Sequence, residues 1–102
     1  MGQIRFDFNP AKLSNPDLDI RYQLPGRLAA IPEGTMTENG YDYSDDEPPV
    51  LMVFVNSVQP DTDVELAVRF LSISTVLENK VLDAATIFTS DNEEEWKQRY
   101  PT

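Results

Sequence analysis

The chain has 102 residues, 18 acidic and 8 basic side chains for a formal net charge of −10, and neither cysteine nor histidine. A chain of this length supports one modest hydrophobic core, so a single domain over residues 1–102 is expected. The missing residue types together exclude disulfides, thiolate and Ser-His-Asp catalysis and the usual zinc sites, and the four glycines form no phosphate-binding loop, so no cofactor and no enzymatic activity are expected.

Gln3-Ile4-Arg5-Phe6-Asp7-Phe8 alternates apolar and polar residues and predicts a strand, ended by Asn9-Pro10. Residues 15–24 alternate as well, but Asn15, Pro16 and Asp17 make a good N-cap, N1 and N2, and a short helix broken by Pro25-Gly26 is the preferred reading. From 32 to 49 the chain is polar, acidic and rich in turn formers. Asn39-Gly40 is its strongest hairpin signal, so 35–43 is expected to form a surface hairpin or loop, with 44–49 as an irregular lead-in.

The apolar run 50–55 predicts a strand buried on both faces at the centre of the sheet, with Met52 and Phe54 in the core. Residues 63–77 fit both strand and helix periodicity. The capping-box pattern Thr62-Asp63-Val64-Glu65, after Pro60 and Asp61, favours a helix over about 61–77, with the β-branched residues near 73–76 weakening its last turn. Glu78-Asn79-Lys80 should turn, and 84–89 should form a strand parallel to the 50s strand in a βαβ unit. A second capping-box match, Ser90-Asp91-Asn92-Glu93, predicts a closing helical turn with Trp96 and Tyr100 on one edge. The expected fold is α+β, a small mixed sheet with helices mainly on one face, ferredoxin-like being one form it could take.

The charge is uneven. Residues 1–27 sum to +1 and residues 69–102 to −2, while the 41 residues between Arg27 and Arg69 hold no lysine or arginine and nine acids. Such a patch attracts a basic protein and repels nucleic acid and anionic membrane. The plainer reading, that the acids serve solubility, is open to any acidic loop. Within this interval Glu38, Tyr41, Asp42, Tyr43, Asp45, Asp46 and Glu47 are the candidate partner-binding residues, the tyrosines as anchors or as packing under the loop. Asp61-x-Asp63-x-Glu65 begins like a calcium loop but has Leu66 and Ser72 where glycine and glutamate are needed, so helix capping explains these acids better. Asp45-Asp46-Glu47 reads as solvated loop charge rather than a metal or acid–base pair. Arg21, with Arg27, is too little for an anion site and is expected to pair with Asp17 or Asp19. No apolar run approaches the roughly 20 residues that span a bilayer, and the first residues lack a signal peptide's apolar stretch, so a cytoplasmic protein without membrane contact is expected.

Residues 15–25, Asn39-Gly40-Tyr41-Asp42-Tyr43 and the strand, capped helix and strand of 50–89 together resemble small acidic bacterial immunity proteins of polymorphic and contact-dependent toxin systems. The resemblance implies an inhibitor that covers the active or substrate-binding surface of a cognate basic toxin, such as a nuclease, without itself binding nucleic acid. Two alternatives stay open. One is a phage- or plasmid-encoded nucleic-acid mimic that blocks a host nuclease or defence complex, which needs carboxylates spaced like phosphates. The other is a carboxylate-dependent metal enzyme, which needs acids converging in a pocket.

Overall fold

Successive side chains of a strand point to opposite faces, and the first strand uses this alternation to divide the molecule into a packed side and an open side. A computed structural model describes residues 2–9, 12–13, 19–47, 49–92 and 94–101. In order these form β1 (Gly2–Phe8), α1 (Ile20–Ala29), β2 (Thr37–Tyr43), β3 (Leu51–Ser57), α2 (Pro60–Ile73), α3 (Val81–Ala84), β4 (Ala85–Ser90) and β5 (Lys97–Tyr100). The five strands make one sheet in the order β2-β3-β1-β4-β5, every neighbouring pair antiparallel.

The fold is therefore α+β. β3 and β4 run parallel to each other, as the predicted βαβ unit requires, but β1 lies between them and hydrogen-bonds to both. The unit is thus split, and no parallel pair is in contact. From β1 to β4, leaving aside the one-turn α3, the order is β-α-β-β-α-β, which is compatible with the ferredoxin-like arrangement.

The core lies on one face of the sheet. Ile4, Phe6 and Phe8 of β1 are fully buried there; Phe6 sits between Val53 and Ile87, and Ile4 between Val55 and Thr89. Each such side chain contributes roughly 1.5–3 kcal/mol by leaving water. β1, not the 50s strand, is the centre of the sheet. Met52 and Phe54 correspondingly belong to the opposite face and are only half-buried, because a strand one place from the edge, with helices on one side, is covered on one face only. On that open face Arg5 lies 4.4 Å from the Phe88 ring centre and 4.7 Å from that of Trp96, and pairs with Asp7 at 2.9 Å.

α1 begins at Ile20; the predicted cap at Asn15 to Asp17 lies outside the described residues. Ile20, Leu24 and Leu28, four residues apart, are fully buried, and this anchoring carries the helix through Pro25 and Gly26 instead of ending it there. Pro25 has no N–H for the carbonyl four residues back, a local cost that burial of its neighbours on the same face offsets.

α2 ends at Ile73, short of 77, where the β-branched run begins. Its start is not the predicted capping box, for the N-cap is Gln59, Pro60 occupies the first position, and Glu65 is exposed. The buried Asp63 carboxylate orders this end instead. It accepts hydrogen bonds from the Ser57 and Thr35 hydroxyls, both at 2.6 Å, from Gln59 Nε2 at 3.0 Å and from the Thr35 backbone N–H at 3.2 Å. The two hydroxyls in turn accept from the backbone N–H of Gln59 and Val58, both at 3.1 Å. Asp61 pairs with Arg99 of β5, which holds its carboxyl below the usual range.

The chain end is also corrected. Asn92 accepts from the N–H of Glu94 and Glu95, both at 3.0 Å, so the capping chemistry is used in a turn, and the segment beyond it is strand β5 rather than a helical turn. Trp96, just before β5, lies on the open face beside Phe54, whereas the register shift between Ile87 and Phe88 sets Tyr100 opposite Ile87 on the helix side.

Burial by itself pushes the Asp63 carboxyl up, yet the hydrogen bonds from Ser57, Thr35 and Gln59 outweigh it and leave the group below the ordinary 3.8. Its stabilisation is therefore complete above the unfolded value and lost as pH falls through the lower folded one. Asp63→Ala should cost about 2–3 kcal/mol at neutral pH, read from urea midpoints, and the gap to the wild type should narrow as the pH falls below about 4. A separate gain is expected at the turn joining Val76 to Asn79, where Leu77 and Glu78 hold φ of 50° and 68°. Glu78→Gly should raise stability by about 0.5–1 kcal/mol by removing the left-handed penalty of a side-chain residue.

Candidate functional site

The predicted partner-binding residues fall on β2 and the loop that leads from it to β3. β2 is an outer strand of the sheet, and all seven of its residues are exposed. Asn39-Gly40 does not turn the chain into a hairpin. Glu38 pairs with Val55 and Tyr41 with Val53, so both Asn39 and Gly40 oppose Phe54 and form a β-bulge, with Gly40 at φ +84°. The extra residue changes which side chains share a face. In a regular strand residues 38 and 41 would point oppositely; across the bulge, Glu38, Tyr41 and Tyr43 all project to the helix side, and Asp42, opposite Met52, to the open side.

α1 lies against that helix side, and its first turn completes a cluster. Tyr22 meets Tyr41 edge-on with ring centres 5.7 Å apart, and Tyr41 meets Tyr43 likewise at 5.9 Å. The Arg21 guanidinium lies 4.9 Å from the ring centres of both Tyr22 and Tyr41, and Nη1 donates to the Tyr43 hydroxyl at 3.3 Å. Its Nε is shielded from solvent and has no hydrogen-bond partner among the described residues. Hydrogen bonds to Tyr22 and then Tyr43 push the Arg21 pKa up, so the cation is fixed in place. Tyr22, accepting from Tyr41 and then from Arg21, is lowered from its usual 10.0, while Tyr41, as donor to Tyr22, is raised. The tyrosines remain available for contact, with Tyr22 52 %, Tyr41 39 % and Tyr43 37 % exposed.

The candidate acids lie on β2 and on the loop that follows it. Glu38 lies over Gly26 of α1, where a Cβ would come within 3.6 Å of its carboxylate. Asp42 accepts from the N–H of Tyr43 at 2.8 Å. Beyond β2, Ser44 closes the loop to β3: its N–H donates to the Val50 carbonyl at 2.9 Å, and its hydroxyl accepts from the Val50 N–H at 2.9 Å and the Asp46 N–H at 3.4 Å. Asp45, Asp46 and Glu47 are exposed on this loop. Among the described residues, the ion pairs are Arg5–Asp7 and Arg99–Asp61, so none of Glu38, Asp42, Asp45, Asp46 and Glu47 is neutralised by a described cation. No group of three carboxylates among the described residues is placed to hold a metal ion.

No family model, curated protein or solved structure matches this chain. The geometry alone therefore describes the site. It joins Tyr41, Tyr43 and Glu38 on one face, sets Asp42 on the other, and adds Arg21 and Tyr22. The sequence signal for these two is their adjacency at the start of an amphipathic helix; what it lacks is the bulge that turns both β2 tyrosines toward them.

The hydrogen bond between Tyr41 and Tyr22 gives a direct test. Tyr22 should titrate below Tyr41 by ultraviolet difference spectroscopy or ring-proton NMR. Tyr41→Phe should raise it, because the donor to its phenolate is lost, and Arg21→Gln should raise it as well, because a second donor and a neighbouring positive charge are lost.

Proposed function

We propose that the chain is a binding protein that neutralises a basic toxin, such as a nuclease, by covering its active or substrate-binding surface with β2 and the 44–50 loop. The observation that carries the reading is a half-exposed aromatic cluster, holding its own arginine, on a strand and following loop that carry five carboxylates no described cation neutralises. Carboxylates on an exposed encounter surface accelerate association with a positive partner, whereas rigid tyrosines supply contact area at little entropic cost. A nuclease must hold a positive surface to bind phosphates, and that surface is what an acidic inhibitor can cover.

The nucleic-acid mimic is less well supported. Glu38 and Asp42 project from opposite faces of β2 rather than in a row along one groove, as phosphate spacing would require. The residues that make the immunity-protein resemblance include β2 itself, and the exposure of Tyr41 and Tyr43 on that strand supports a contact role for them.

Replacing Glu38, Asp42, Asp45, Asp46 and Glu47 by their amides should leave the fold unchanged, since all five are exposed. Co-expressed with the product of the adjacent gene, or mixed with a bacterial lysate, the wild type should capture a basic protein at low salt and the amide variant should lose it at least about tenfold, in line with the cost of removing steering and contact charges. Equal capture by both proteins at low and high salt would remove this surface from the mechanism.

A further inference from the structure

α2 carries more apolar surface than the core uses. Val64, Ala67 and Leu71 face inward and are buried, but Leu66, Phe70 and Ile73 form a second stripe at spacings of four and three, on a different side of the helix. Phe70 packs partly against the edge of the core, Leu66 is half-buried, and Ile73 is 82 % exposed, so the stripe still offers apolar surface to solvent. Opposite it runs the end of α1 with Ile31, and the two sides enclose a groove of about 560 Å³. Two arginines line it, Arg27 from the last turn of α1 and Arg69 from α2, against the single acid Glu33. Neither arginine has an ion-pair partner among the described residues, although the chain holds ten more acids than bases.

We propose that this groove binds an amphiphile with an anionic head and a short alkyl chain. The head is taken by the guanidinium groups of Arg27 and Arg69, whose planar forks match the two oxygens of a carboxylate or a phosphate monoester. The chain lies along Leu66, Phe70 and Ile73, a stripe about 10 Å long from the helical rise over seven residues. The volume is in the range of small-ligand sites, and an apolar floor with a few placed polar groups is their usual composition. A cationic amphiphile of the same chain meets the same floor and the wrong charge. This site is separate from the β2 surface and does not rest on the toxin reading.

The test is an amide-resolved NMR titration with octanoate, octyl phosphate and octyltrimethylammonium. Saturable shifts confined to residues 27–33 and 66–73 are expected with octanoate, octyl phosphate or both, which tells carboxylate from phosphate heads, and none with the cation. Arg27→Gln with Arg69→Gln should weaken the anion about tenfold or more, the worth of a charged hydrogen bond. Ile73→Ser, at an exposed position, should weaken every anion without altering the fold. Equal binding of the cation, unchanged affinity in both variants, or no saturable shift below the micelle concentration would overturn the proposal.

Discussion

One buried carboxylate fixes how the second half of the fold meets the first. Asp63 draws Thr35, Ser57 and Gln59 to a single point, and through the two hydroxyls it also satisfies the N–H groups of Val58 and Gln59 ahead of α2. A buried charge is costly unless every oxygen is used, and here five donor contacts from three residues use them. Thr35 is two residues before β2 begins, and Met36 between them is buried. The outer strand that carries the candidate site is therefore tied at its entry to the start of a helix on the far side of β3.

The sheet is divided by chemistry that alternation in β1 already displays. Ile4, Phe6 and Phe8 specify a packed face, Arg5 and Asp7 a face that must tolerate charge, and both neighbours of β1 follow its register. That much was legible, as were the strands of the 50s and 80s and the helix between them. The place of β1 in the middle was not, because strand order depends on which hydrogen-bonded edges meet after the helices cross, and no local pattern encodes that. The uninterrupted run 50–55 misled for a related reason: half-buried Met52 and Phe54 lie on an open face where Phe54 meets Trp96, so apolar side chains are favoured there without being core.

Where local chemistry misled, tertiary contacts had replaced it. Ser90 and Asn92 are capping residues, and Asn92 does bind two backbone N–H groups, but the segment beyond finds a partner in β4 and becomes a strand. Pro25 would stop an isolated helix, yet Leu24 and Leu28 on either side are fully buried and hold it helical. Asn39-Gly40 has the left-handed freedom of a hairpin turn and spends it on a bulge, because β3 continues to pair on both sides of it. In each case the residue type fixed which backbone geometry was available, and the neighbouring element decided how it was used.

The same bulge explains why the site contains an arginine on so acidic a surface. Turning Tyr41 and Tyr43 toward α1 brings both onto Arg21, and the rings of Tyr22 and Tyr41 with the Tyr43 hydroxyl then hold the cation within the cluster. Asp61 is committed to Arg99 and Asp63 to its buried donors, so of the nine acids between Arg27 and Arg69 two serve the fold. Five of the remaining seven are concentrated on β2 and its loop. Self-repulsion among them opposes compaction and would be relieved by dispersing them, which solubility would permit equally well. Their concentration beside a rigid, half-exposed tyrosine cluster is the arrangement that a positively charged protein surface would relieve.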